Sequence, residues 1–198
     1  MTDLFEEPDD ATDLSPDDRK ALLQTWITNR ADLNKAEAQN ILDGAAWARR
    51  RRSLDPAAIL NNEFAKTLHK QMFGEVWNWA GKYRDANTNI GVDHYLISTK
   101  LLSLFSDARY WLQHKSYETN ELAARLHHRL VSIHPFPNGN GRHSRLMADL
   151  LVDRLGSEPF TWGGGGLMEV SELRKSYIAA LKAADNHNIE PLLNFVRS

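Results

Sequence analysis

The chain has 198 residues, enough for one domain with its own core, and its 42% hydrophobic and 25% charged residues are the mix of an ordinary globular protein. It has no cysteine, which excludes disulfides, thiol nucleophiles and Cys-ligated metals, and a formal net charge of -2, which gives no basic field for direct nucleic-acid binding. No window reaches the roughly 18 to 20 apolar residues of a membrane span, and the acidic start MTDLFEEPDDATDLSPDD lacks the regions of a signal peptide, so a cytoplasmic address is expected.

Residues 1–14 are acidic and poor in large apolar side chains, and read as a loose arm. Ser15-Pro16 has the form of an N-cap with proline at the first helical position, and Leu22, Leu23, Trp26 and Ile27 follow at helical spacing. A second helix is predicted from about Ala31 to Arg51, ending in the cations Arg49 to Arg52. Residues 15–54 therefore form a helical extension ahead of the main domain, 55–198. That domain opens with a predicted helix from Asp55-Pro56 through Phe73, with Ile59, Leu60, Phe64 and Leu68 on its apolar face. Gly81 breaks the helical run in VWNWAGKYR, which ends at Arg84. Asn87 to Ser98, NTNIGVDHYLIS, alternates at Ile90, Val92, Tyr95 and Ile97 and is the hairpin candidate. Helices are predicted at about 99–114, 118–133, 140–155, 170–184 and 190–196, with Gly156 closing the third of these and a loop at the Gly163 to Gly166 tract. The fold class is all-α with one short β-hairpin.

The chemistry concentrates in HPFPNGNGRHSR, His134 to Arg145. Pro135 disfavours the α region for the residue before it, so the preceding helix ends near His134 and leaves the imidazole at its terminus. Pro137 to Gly141 is a tight turn whose glycines allow close backbone approach to a ligand. The next helix starts at about Asn140, and its unpaired N–H groups form an anion site. Arg142 and Arg145 share one face of its first turn. Cations there oppose the helix dipole, and an anion between them would offset that cost. Each feature alone is commonplace: a histidine at a helix end, a Gly-Asn-Gly turn, two arginines on a solvated face. Together and in this order they read as a phosphate cradle beside a histidine.

The segment resembles the signature of the Fic family (filamentation induced by cAMP), H-x-F-x-[D/E]-G-N-G-R-x-x-R, at His134, Phe136, Gly139, Asn140, Gly141, Arg142 and Arg145. WAGKYR before a hairpin and the helices around the signature extend the likeness over about residues 55–198. The whole chain resembles the bacterial branch labelled mobile mystery protein B. The resemblance implies a Fic-fold helical bundle that moves AMP from ATP to a Ser, Thr or Tyr hydroxyl of a protein target. It makes His134 the general base, Phe136 a buried anchor, Gly139, Asn140 and Gly141 the phosphate hole, and Arg142 and Arg145 the holders of the β and γ phosphates. Asn89, Ile90, Gly91 and Val92 fall in the flap that docks the target by strand addition. Tyr177 falls where the family lines the nucleotide base.

Asn138 departs from the pattern, because the family's Asp or Glu there binds Mg²⁺. An amide oxygen brings no negative charge to a hard cation, so weakened Mg²⁺ or Mn²⁺ binding with some activity kept is expected. Asp149 and Asp153 lie too far along the next helix to substitute. The family's self-inhibition motif, [S/T]-x-x-x-E-[G/N], is matched in part by LNKAEAQN, which offers Glu37, with Leu33 and Ala38 off-pattern; an inhibitory Glu37 is expected to pair with Arg145. The histidines show no metal-ligand spacing. Two rivals remain open: a phosphotransferase of the death-on-curing type, disfavoured because G-N-G-R is kept, and a nucleotide-binding regulatory protein suggested by Asn138. Branch membership implies a partner made beside this chain, DNA-binding in type. Target identity and oligomeric state are not in the sequence.

Overall fold

A computed structural model describes residues 16–50, 55–164 and 170–198. The expected acidic arm, the Ser15 cap, Arg51 and Arg52, and Gly165 and Gly166 lie outside the described residues. Among the described residues eight α-helices follow in order: α1 Pro16–Ala21, α2 Arg30–Arg49, α3 Asn62–Phe73, α4 Ile97–His114, α5 Thr119–Ile133, α6 Asn140–Arg154, α7 Val170–Asp185 and α8 Glu190–Arg197. Short 3-10 turns stand at Pro56–Ile59 and His94–Leu96. No helix among the described residues is long and apolar enough to cross a membrane.

The bundle is arranged around α5, which packs on α4, α6 and α8, while α6 also reaches α3 and α2. Leu122, Leu126 and Leu130 of α5 and Met147, Leu151 and Val152 of α6 are all buried. Each such side chain contributes about 1.5–3 kcal/mol by leaving water. The signature bridges these two helices, so its loop is clamped at both ends by core. Gly44 lets α2 approach α3 closely, since a Cβ there would stand 2.8 Å from the Gln71 carbonyl oxygen and from the Met72 backbone.

Two expectations are corrected. The helix from Pro56 to Phe73 is interrupted: Leu60 leaves helical geometry, and the Asn61 side chain accepts from the Phe64 N–H to cap a new helix. Apolar spacing runs through this break, and hides it. The hairpin carries no strand pairing either. Residues 87–96 fold back as bends and a 3-10 turn, because the Asn87 side chain closes the loop on Asp93 and His94. The one β contact among the described residues is an isolated bridge from Leu22 to Trp77.

Candidate active site

α5 ends at His134, which caps it in the left-handed region at φ 53° and ψ 61°. Proline at 135 removes the right-handed helix, and the chain takes the left-handed cap and not the extended form expected before proline. For a non-glycine residue this costs on the order of 1–3 kcal/mol. Surrounding bonds hold it. The His134 N–H donates to the Leu130 carbonyl, and the next carbonyls along the turn all accept from the flap side. The Val92 N–H reaches Ile133 O at 3.3 Å, Arg84 Nε reaches His134 O at 2.8 Å, and the Arg84 N–H reaches Pro135 O at 3.0 Å. The His134 pKa is lowered, first by burial and second by the Arg84 guanidinium, against the raising effect of the Val131 carbonyl. The imidazole is therefore neutral, and able to accept a proton, at pH 7.

The loop from His134 to α6 is folded on its own side chains. Phe136 is fully buried. Its N–H donates to Asn140 Oδ1 at 2.9 Å, and its carbonyl accepts from Asn140 Nδ2 at 2.8 Å. The Asn140 side chain is thus a two-way clamp inside the loop, and only its backbone can serve an anion. Gly139 has φ 76°, and a Cβ there would stand 2.5 Å from Cζ of Phe73, so both conformation and space require glycine. After it α6 begins, with Asn140, Gly141 and Arg142 as its first turn.

His69 is the support that sequence reasoning missed. Its Nδ1 accepts from the Gly81 N–H at 3.0 Å, so its proton sits on Nε2, which donates to the Asn138 carbonyl at 3.0 Å. Its ring stacks on Phe136 with centroids 3.7 Å apart. One neutral imidazole thus ties α3, the WAGKYR turn and the signature loop together. His143 beside it bonds Ala65 O at 3.0 Å from α6. Only an apolar-face position marked His69 in the sequence.

Glu37 meets the signature from α2. Its carboxylate makes an ion pair with Arg142 at 2.7 Å and accepts from Trp77 Nε1 at 2.6 Å. The partner shown is Arg142, whereas Arg145 was expected; both share one face of α6, and Glu37 meets its first turn while Ala48 O, near the end of α2, accepts from Arg154 at the end of α6. Asn40, one turn on, fixes α2 by donating to Gln71 O and accepting from the Glu75 N–H. The guanidinium of Arg142 also lies 5.0 Å from the Phe73 ring centroid. A carboxylate therefore engages the guanidinium of Arg142 at the start of α6.

Asn138 is exposed, and its Oδ1 accepts from the Gly139 N–H at 2.6 Å. The one side-chain oxygen at the metal position is neutral and already engaged. No group of three or more His, Asp or Glu side chains among the described residues could hold a metal. The protein's own donors do not fit a resident divalent cation. Asp149 is turned to the loop after α6, accepting from Trp162 Nε1 and the Phe160 N–H; burial pushes its pKa up to about 6. Tyr177 corrects another expectation: its ring is 2% exposed and its hydroxyl bonds His127 Nε2 at 2.9 Å, a core contact. An open groove of about 450 Å³ between α7 and α8 is lined by alanines, Pro191 and Phe195 with Ser176, Asn194 and Ser198, and holds none of the signature. In the flap Asn89, Ile90 and Gly91 are exposed, while Val92 packs on the core.

Residues 59–152 match the model of the Fic/DOC family. The protein adenylyltransferase fic-1 of Caenorhabditis briggsae is 32% identical over 120 residues, 59% of this chain and 22% of that protein. The protein adenylyltransferase Fic of Drosophila grimshawi is 31% identical over 133 residues, 65% of this chain and 26% of that protein. The chain's match thus spans about a quarter of these curated relatives. A Fic domain containing signaling protein from Bacteroides thetaiotaomicron aligns with TM-score 0.67 and 19% identity, covering 80% of this chain and 66% of that one. The N-terminal Fic domain of a VirB-translocated Bep effector from Bartonella quintana, solved with bound ADP, aligns with TM-score 0.65 and 19% identity over 87% of this chain and 86% of that one. These two likenesses show the fold.

Proposed function

The chain carries a Fic/DOC-family domain over residues 59–152, and from that premise we propose that it is a protein adenylyltransferase held in check by its own Glu37. The donor is ATP, and the acceptor is a Ser, Thr or Tyr hydroxyl of a target protein. His134 takes the hydroxyl proton. The freed oxygen forms a bond to the α-phosphorus while the bond from that phosphorus to the bridging oxygen breaks, and pyrophosphate leaves. The first-turn N–H groups of α6, with Arg142 and Arg145, hold the phosphates. The flap at Asn89, Ile90, Gly91 and Val92 takes the target segment in extended form. Nucleotide-bound Fic structures among the structural neighbours and the adenylyltransferase relatives support ATP as donor.

The observation that carries this reading is a neutral histidine at the end of α5 beside an arginine-bearing helix N-terminus. The Glu37–Arg142 ion pair supports self-inhibition, because the carboxylate must leave before a phosphate takes its place. Mobile mystery protein B remains the branch assignment, and a co-encoded DNA-binding partner and cytoplasmic placement belong to the same reading. Asn138 also favours a second reading, nucleotide binding with little turnover. ATP labelled at the α or the γ phosphate separates them, with divalent metal present and Glu37→Gly as the released form. Label from the α position on protein, lost in His134→Ala, is expected. Label from γ alone means phosphotransfer. Nucleotide binding without label supports the regulatory reading.

A further inference from the structure

Arg84 is the last residue of the WAGKYR segment and is 5% exposed. Its guanidinium spends every nitrogen on a backbone carbonyl. Nε donates to His134 O at 2.8 Å, Nη1 to Ala86 O at 2.8 Å, and Nη2 to Val92 O. Its own N–H holds Pro135 O at 3.0 Å. Ala86 and Val92 are the two shoulders of the flap, while His134 and Pro135 carry the base. The flap is also seated directly on the histidine: a Cβ at Gly91, where φ is 99°, would stand 2.6 Å from the His134 Cβ and 2.9 Å from Arg84 Nη2.

A planar fork is suited to this task. Its donors point in fixed directions, so the carbonyls they engage are fixed relative to one another. An ammonium group would hold at most part of the set. The left-handed cap at His134 is costly alone, and its carbonyl is one that the end of α5 leaves without a helical partner. Both problems are met by the same side chain that sets the flap.

We propose that Arg84 is the positioning residue that couples the target-docking flap to the catalytic histidine, so that a hydroxyl presented along the flap arrives in register with the base. This rests on the reading of His134 as base and residues 89–92 as flap. A mere packing role would lower stability and leave the chemistry of surviving folded molecules unchanged; the coupling role does not.

The charge of Arg84 provides a second handle. It is the charged group that the titration of His134 feels, and it acts to lower that pKa. Two variants separate geometry from charge. Arg84→Lys keeps the cation and loses the fork. Arg84→Met loses both. In a Glu37→Gly background both are expected to lose about a hundredfold in kcat for AMP transfer, the scale of an ångström-sized misplacement, with KM for ATP within about twofold. The acid limb of the pH profile should stay in place for Lys and move to higher pH for Met.

The readout independent of activity is the NMR titration of the His134 ring protons, with hydrogen exchange at the Val92 N–H. Faster exchange in both variants and an upward His134 pKa in Met alone are expected. A kcat in Arg84→Lys equal to that of the Glu37→Gly parent, or unchanged exchange and titration in both, overturns the proposal. Should Arg84→Met not fold, the Lys variant alone decides by kcat and exchange. A Glu37→Gly protein that transfers no AMP overturns the functional reading, while titration and exchange still decide the coupling.

Discussion

Buried imidazoles set how this protein answers acid. Burial lowers the pKa of His69 well below its usual value, of His143 to about 4 and of His127 to about 3. His69 shows the cause in its bonds, because a proton on Nδ1 would face the Gly81 N–H donor. The unfolded chain binds protons at these sites below about pH 6.5, while the folded chain refuses them. Stability is therefore full above that pH and is lost as pH falls toward the folded pKa values. Asp149 works in the opposite direction. Its folded pKa of about 6 lies above the unfolded 3.8, so its contribution is present at low pH and lost as pH rises through 6. Three histidines outweigh one aspartate, and the midpoint of urea unfolding is expected to drop steadily from pH 7 to pH 5. A flat profile there would contradict the buried neutral assignment. Asn138 gives a second residue-scale prediction. Asn138→Asp keeps an acceptor for the Gly139 N–H and adds the missing charge, so half-saturating Mn²⁺ for AMP transfer should fall about tenfold, worth ~1.4 kcal/mol. An unchanged metal titration would show that the phosphates alone set metal affinity.

At the scale of elements, helix α2 is the latch of the proposed self-inhibition. It lies flat on α3 through Gly44, is pinned by Asn40, and delivers Glu37 to Arg142. Trp77 completes it by donating to the same carboxylate while stacking on Trp79 at 5.1 Å. Replacing Trp77 by Phe keeps an aromatic ring and removes that N–H. A lost bond to a charged group is worth about 1.5–3 kcal/mol, so AMP transfer is expected to rise in Trp77→Phe, and further in Glu37→Ala. Thermal melts with and without ATP provide the check: ATP should raise Tm more in both variants than in the parent chain. Equal shifts in all three would show that Glu37 does not compete with phosphate. Much of this element plan was legible in the sequence. Helix positions followed from apolar spacing, and the end of α5 from Pro135. What sequence could not show depends on tertiary placement. Nothing local says that Glu37 reaches Arg142 and not Arg145, since that is set by how α2 lies along α6. Arg84 read as the last letter of a motif, because its partners lie 2, 8 and 50 residues away. The flap alternates like a strand, yet Asn87 closes it through side-chain bonds that compete with pairing.

On the scale of the whole molecule, the question is whether the helices carrying the chemistry and the C-terminal pair stand or fall together. α8 is short, but Leu192, Phe195 and Val196 are buried in the common core, and α8 packs on α5 as well as α7. The loop after α6 hangs on the same helix: the N–H groups of Thr161 and Trp162 both donate to Val196 O, while Asp149 of α6 holds Trp162 from the other side. Arg197 adds bonds to Glu158 O and to Asn120 at the start of α5. A disturbance in α8 therefore reaches both helices that frame the signature, which makes one cooperative unit the expected behaviour for a chain of this size. Leu192→Ala should cost about 2–5 kcal/mol, a large share of the roughly 5–15 kcal/mol that holds a domain together. In that variant, helix content by circular dichroism and the environment of His134 by NMR should be lost at the same urea concentration. If helix signal were lost first and the His134 environment survived, α7 and α8 would be a separable unit, and the core that supports His134 would be smaller than the bundle.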